Sequence, residues 1–388
     1  MPEPLVYFDH HATTPCDPRV VEAMAPYWTR SFGNAASATH RYGWEAEAAV
    51  EDARERIARA IGAADASEIV FTSGTTESDN LAIQGVARAS GTRDGVLATT
   101  AIEHPAVLDT CRALAGEGFE LGVLPVDPEG LVDPTAIEAM LGPRTLLVSV
   151  GAANSEIGVL QPLEEIGEIC RRRGVAFHSD AAQAVGKIPI DVARLGVDLL
   201  SFCAHKLYGP KGIGALYLRR KRPRLRLAPL LHGGGHERGR RSGTLPVALI
   251  VGFARAMELC LEDLDAEAKR LGALRDHLWE RLSQGLPGVR RNGHASRRLS
   301  GNLHVAFEGV EIDAVIASLR EFALSAGSAC ASGSGEPSHV LRAIGLPDAL
   351  ARGALRVGLG RANTLEQVDR LADRLIEEVA RLRERRGA

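Results

Sequence analysis

Between residues 69 and 218 the chain alternates short apolar runs with longer stretches in which apolar residues recur every three or four positions. The runs 69–72, 96–99, 122–126, 145–150, 175–178, 199–202 and 215–218 are rich in β-branched and apolar residues and predict strands. The stretches 45–61, 105–115 and 163–173 predict amphipathic helices. Strands that alternate with helices build βαβ units. They imply an α/β fold with a mainly parallel sheet covered on both faces. Such sheets bind ligands beyond the carboxyl ends of their strands, so the polar residues just after each strand are the ones to inspect.

The last third reads differently. Leu271, Leu274, Leu278 and Leu282 stripe a helix over 263–286, and 301–307 predicts a strand. A terminal helix over 364–383 opens with the capping box Thr364-x-x-Gln367, and Leu365, Val368, Leu371, Leu375, Val379 and Leu382 form one stripe along it. We expect a large domain over 15–255 and a smaller α+β domain made of 256–388, with 1–14 packed against it.

Composition narrows the function classes. At 388 residues the chain has room for two domains, and 45% hydrophobic with 24% charged residues is ordinary for a globular protein. A net charge of −3 argues against a general polyanion binder, and no nucleic-acid motif is present. The basic runs 219–222 and 383–386 read as solvated surface or a docking point for an acidic partner. No apolar stretch has the roughly 18 residues of a membrane span. Residues 1–11 have neither the basic region nor the apolar core of a secretory signal, so a cytoplasmic protein is expected. The six cysteines form no C-x-x-C pair and read as reduced thiols. No carboxylate or cysteine lies at a zinc-like spacing from His232 and His236 apart from Glu237, and we assign no metal. Only five lysines are present, which leaves few candidates for lysine chemistry.

Three strand ends carry candidate chemistry. Ser73-Gly74-Thr75-Thr76-Glu77 follows a strand and opens a helix, where backbone N–H groups and threonine hydroxyls suit a phosphate; an ordinary helix start would look the same. Asp180, in His178-Ser179-Asp180-Ala181, offers a carboxylate for a protonated ring nitrogen, or a helix cap. His205-Lys206 ends a third strand and offers an amine for a Schiff base, or a solvated loop lysine. Together they supply what pyridoxal phosphate needs.

At this point the chain resembles the cysteine desulfurases of the class V aminotransferase fold family, especially the branch that supplies sulfur for iron–sulfur clusters. The resemblance covers nearly the whole sequence. It runs through Asp9-His10-His11-Ala12-Thr13-Thr14-Pro15, Gly33-Asn34, Ser73 to Asn80, Glu103-His104, Asp180-Ala181-Ala182-Gln183, His205-Lys206, His232 to Glu237, Arg241-Ser242-Gly243-Thr244 and Gly327-Ser328-Ala329-Cys330. It implies the fold type I architecture of pyridoxal-phosphate enzymes. On this resemblance Lys206 holds the cofactor and moves the Cα proton. Asp180 pairs with the pyridine nitrogen, Gln183 bonds the phenolic oxygen, and His104 stacks on the ring. Thr75, Thr76, Cys203 and His205 line the phosphate position, and Thr244 reaches it from the other subunit of a homodimer. Asn34, Ser155 and Arg356 contact the substrate L-cysteine, Arg356 as a fork for its carboxylate. Cys330, in a loop of small residues, takes the substrate's sulfur as a persulfide, leaves L-alanine, and hands the sulfur to a cluster scaffold or sulfur carrier.

The chain departs from the family pattern at four places. Ser155 stands where a second asparagine is usual, Cys203 where a serine donates to the phosphate, and Ala326 where a serine is common. His10-His11 replace smaller or amide-bearing residues. The sequence also stops at Ala388, short of a C-terminal segment that housekeeping members use for scaffold docking. Two other readings use the same scaffold: a selenocysteine lyase or cysteine β-lyase, and a non-catalytic sulfur-relay partner.

Overall fold

The computed structural model describes residues 5–220, 224–327 and 338–387. Twelve strands occur among them: β1 Val6–Tyr7, β2 Ile69–Thr72, β3 Val96–Thr100, β4 Glu120–Leu124, β5 Thr145–Ser149, β6 Ala176–Asp180, β7 Leu199–Cys203, β8 Gly214–Leu218, β9 Val289–Arg291, β10 Asn302–Phe307, β11 Phe322–Ala323 and β12 Ala354–Gly358. Seven of them form one sheet in the order β2-β8-β7-β6-β5-β3-β4. Its pairings are parallel except those of β8, which runs against both β2 and β7. Every residue of β7 and β8 is buried, as in a sheet covered on both faces. The α/β fold with a mainly parallel sheet follows the sequence reading. The edge strand β4 lies two residues earlier than its apolar run, because its only partner is β3 and that register ends at Thr100 opposite Leu124.

The helix Arg41–Ala60 begins four residues before its apolar pattern. His40 supplies the reason: its ring nitrogen accepts from the Gly43 N–H and caps the helix, a task more often given to Ser, Thr, Asp or Asn. The capping box of the terminal helix Leu365–Gly387 forms in both directions, Gln367 N–H to Thr364 and Thr364 N–H to Gln367.

Two large apolar cores organise the chain. One packs the helices Arg41–Ala60 and Val247–Glu262 against the seven-stranded sheet. The other gathers β10, β12 and the helices Leu264–Gly285 and Leu365–Gly387, and it includes Val6 and Phe8 from the N-terminus. The chain passes from the first core to the second between Cys260 and Leu274, and Leu299 reaches back into the first. The N-terminal segment joins the second core by parallel pairing of β1 with β11 and by a bridge from Asp9 to Gly358.

Candidate active site

The carboxyl ends of β2, β3, β5, β6 and β7 open onto one cavity of about 540 Å³. Each strand delivers a short polar segment: Ser73–Thr76 after β2, Glu103 and His104 after β3, Gly151–Glu156 after β5, Asp180 at the end of β6, and Cys203–Lys206 after β7. The reversed β8 starts at the same end and adds Lys211 and Gly212. Thr75, Thr76, His104, Ser155, Asp180, Gln183, Cys203, His205, Lys206 and Arg356 all line this cavity. Asn34 and Thr244 do not: both are exposed on the surface of the single chain. Cys330 lies outside the described residues.

The segment after β2 meets the demands of an anion. The helix Thr75–Ala89 has no side-chain cap at its N-terminus. The buried Thr75 hydroxyl has no hydrogen-bond partner. The loop lies so close to β8 that a Cβ on Gly214 would sit 2.6 Å from the Gly74 Cα, so only glycine leaves the loop its course. Uncapped N–H groups and an unused hydroxyl fit a phosphate. Burial pushes the Cys203 thiol beside them above its usual range, so it stays protonated and is a weak donor.

Lys206 donates to the main-chain oxygens of His11, at 2.5 Å, and Ala12, at 2.7 Å. Burial lowers its pKa, which favours a nucleophilic amine. Asp180 takes the Ala182 N–H at 2.8 Å. Burial raises its pKa, opposed by His104 and Lys206. A cationic ring nitrogen beside it would restore its charge. His104 caps the helix Pro105–Gly116 by accepting the Ala106 N–H on Nδ1, which fixes the ring at the cavity wall. Burial lowers its pKa and keeps the ring neutral. The donor set as a whole fits pyridoxal phosphate: an anion cradle, a carboxylate and a lysine of lowered pKa.

Arg356 rises from β12, only 1% exposed. It donates to Asp9 at 2.7 Å and to the Ser155 main-chain oxygen at 3.0 Å. Its Nε is buried without a partner, so the fork keeps a donor for a carboxylate. Ser155 therefore contributes its backbone to Arg356.

The described residues on either side of 328–337 lie at this cavity. On one side the Arg356 N–H bonds the Ser325 oxygen, and a Cβ on Gly327 would lie 3.6 Å from Glu156 Oε2. On the other, Ser338 donates to the same Glu156 oxygen at 2.6 Å, and the His339 ring lies 2.9 Å from the Glu103 oxygen.

Motif reading passed over several of these groups. Asp9 and His11 sit in the quoted N-terminal motif, yet their roles appear only when the small core folds against the sheet. Glu103 and Glu156 are buried carboxyls at the cavity, with Glu103 pushed up to about 7 by burial. Glu103 sits in the quoted Glu103-His104 pair, but the local sequence gives neither carboxyl a role.

Comparison with known proteins bears on this geometry. Residues 6–371 match the family described as aminotransferase class-V. The chain is 53% identical over 379 residues to the mitochondrial cysteine desulfurase of Drosophila melanogaster, spanning 98% of this chain and 82% of that one. It is 50% identical over 379 residues to cysteine desulfurase IscS of Rickettsia felis, spanning 98% and 92%. A solved NifS-like protein matches with a TM-score of 0.89 at 38% identity over 97% of this chain and 99% of the other. SspA in complex with cysteine matches at 0.80 and 40% identity over 91% and 98%.

Proposed function

The chain belongs to the aminotransferase class-V family, and from that premise we infer that it is a cysteine desulfurase dependent on pyridoxal phosphate. It converts L-cysteine to L-alanine and moves the sulfur to the Cys330 thiolate as a persulfide. The observation that carries the reading is the convergence of Lys206, Asp180, His104 and the uncapped Thr75 helix on one cavity. The bound cofactor supplies an electron sink for the bonds at the substrate's Cα.

The chain's own groups do the rest. Thr75, Thr76 and His205 hold the phosphate end, and Asp180 holds the ring nitrogen. Arg356 takes the substrate carboxylate through its free Nε, with Asp9 fixing the guanidinium. Lys206, whose pKa burial lowers, carries the proton at Cα. His104, held neutral, is placed to share that proton traffic. Asn34 joins the substrate's contacts from a neighbouring subunit or a rearranged loop, since in the single chain it lies outside the cavity.

The proposed assembly is a homodimer, with Thr244 completing the partner's phosphate site. Two observations support it. Thr244 is exposed and outside its own chain's cavity, although Arg241 nearby bonds the cavity residue Glu77 at 2.8 Å. Trp28, Phe32, Tyr42 and Trp44 are each more than half exposed, and Phe32 and Tyr42 stack at 5.2 Å; a second copy is the occupant that such a patch suits. Light scattering should give twice the 41.3 kDa chain mass.

The proposed sulfur acceptor is a cluster scaffold or carrier protein, and the proposed setting is iron–sulfur assembly in the cytoplasm. The five cysteines among the described residues are free, which suits such a reducing compartment. No described helix is long and apolar enough to cross a membrane.

The test incubates the cofactor-loaded protein with L-cysteine and a thiol reductant beside Cys330→Ala. Equal alanine and sulfide, lost in the variant, is the expected result. Pyruvate in place of alanine would assign a β-lyase, and failure to take up cofactor would overturn the reading altogether.

A further inference from the structure

Behind the cavity floor lies a lysine that the reaction above does not use. Lys187 is one of only five lysines in the chain. It lines a second cavity, of about 240 Å³, which shares His11 with the first. Its Nζ lies 2.6 Å from Gln183 Oε1. Burial, and then the nearby Lys206, lower its pKa to about 7.

Two contacts settle which way the Gln183 amide faces. A carbonyl oxygen only accepts and an ammonium only donates, so the atom facing the His11 main-chain oxygen is the nitrogen and the atom facing Lys187, in its charged form, is the oxygen. Its amide nitrogen then points the other way and donates to the His11 main-chain oxygen at 2.8 Å, the same oxygen that receives Lys206. The fixed oxygen also lies 3.0 Å from His11 Nδ1, so that nitrogen must carry the proton. The other ring nitrogen of His11 is left as an acceptor, buried and without a partner. Burial holds the His11 pKa well below its usual value, so the ring is neutral and this tautomer is defined.

We propose that Lys187 is a positioning residue: it fixes the Gln183 amide and the His11 tautomer, so that an N–H donor always faces the Lys206 side of the cavity. This rests on the pyridoxal-phosphate reading, in which Gln183 bonds the cofactor's phenolic oxygen. With Lys187 removed, the amide oxygen loses its charged donor, and the His11 ring and main-chain oxygen are left to hold the amide.

The charged and titratable groups around Lys187 are His11, His205, Lys206, Arg356 and Cys203 towards the first cavity, and His10, Arg19, Tyr208, Cys260, Asp263, Glu267 and Arg361 around the second. Losing a positive charge and losing a donor to the phenolic oxygen act in the same direction. Each makes the bound chromophore keep its proton to higher pH. The sign of one shift cannot separate positioning from plain charge, but a double-mutant cycle can.

The experiment follows the pH midpoint of the bound cofactor's visible absorbance in the wild type, Lys187→Met, Gln183→Leu and the double variant. Lys187→Met should raise the midpoint by about one unit and weaken cofactor retention several-fold. In the Gln183→Leu background, replacing Lys187 should add almost nothing. Equal shifts in both backgrounds would show that Lys187 acts by charge alone and would overturn the proposal, as would an unchanged midpoint in Lys187→Met. Lys187→Leu takes its place in the cycle if the Met variant does not fold. A wild-type protein that takes up no cofactor would defeat the desulfurase reading instead, and the two failures are distinguishable.

Discussion

At Cys203 a thiol stands at the phosphate end of the cavity where a hydroxyl would donate more strongly. The thiol is buried and stays protonated, because burial raises its pKa. Cys203→Ser replaces a weak donor with a strong one at nearly constant volume. One added hydrogen bond is worth about 1 kcal/mol, or roughly a fivefold tighter hold on the cofactor. Equilibrium dialysis of pyridoxal phosphate checks this, and equal or weaker retention would mean that the thiol does not face the phosphate. Asp9 poses the converse case. Its carboxylate pins the buried Arg356 at 2.7 Å while the Arg356 Nε stays free. Asp9→Asn leaves the arginine charged but loosely aimed. KM for L-cysteine should rise about tenfold, the effect of roughly 1.4 kcal/mol lost from a charge-assisted contact, with kcat changing less. A pure loss of kcat would place Asp9 in the chemistry.

At the scale of elements, the run His232 to Glu237 shows how a family motif can serve the fold. Glu237 meets Arg54 of the helix Arg41–Ala60 through two bonds of 2.7 Å, and it also accepts the Phe71 N–H of β2 at 2.7 Å. Arg54 in turn lies over the Phe71 ring. One carboxylate thus ties a helix, the strand that leads into the phosphate loop, and the segment that carries Thr244. Both side chains are at most 3% exposed. Glu237→Ala leaves a buried guanidinium unpaired and should cost about 3–5 kcal/mol in urea unfolding. A loss below 1 kcal/mol would show that water replaces the carboxylate. The same scale explains what could be read beforehand. Strand and helix periods depend on each residue's near neighbours, so all seven strands of the central sheet were legible to within two residues. The reversal of β8 was not, because strand direction depends on partners far along the chain. The cavity residues Lys206, Asp180, His104 and Thr75 were legible because each follows a strand in a short motif. Asp9, Glu156 and Lys187 were not, since their partners lie more than 170 residues away or their local sequence is bland. Lys187 is the bland case: its Gln183 contact is only four residues off, but nothing nearby says that the amide matters.

For the whole molecule, the buried titratable groups fall into two sets that pull stability in opposite directions with pH. His178 and His304 are fully enclosed, and burial pushes both down to about 3. The folded state therefore binds fewer protons than the unfolded chain below pH about 6.5, and stability is lost as pH falls through that range. Asp79 belongs to the other set. It is fully buried, and burial followed by Asp180 raises its pKa well above 3.8, against a smaller lowering contact from the Ser201 hydroxyl. Here the folded state holds the extra proton. Its contribution is complete below pH about 4 and is lost as pH rises towards the folded pKa. Asp79→Asn removes the second effect and leaves the first. In the cofactor-free protein the variant should match the wild type near pH 4 and exceed it increasingly above, reaching about 1–3 kcal/mol once the carboxyl would have to ionise or stay protonated against the solvent. Urea midpoints between pH 5 and 8 should therefore diverge with rising pH. Parallel curves would mean that Asp79 keeps an ordinary pKa, and a variant less stable at every pH would mean that His178, 3.5 Å from Asp79, depends on its charge.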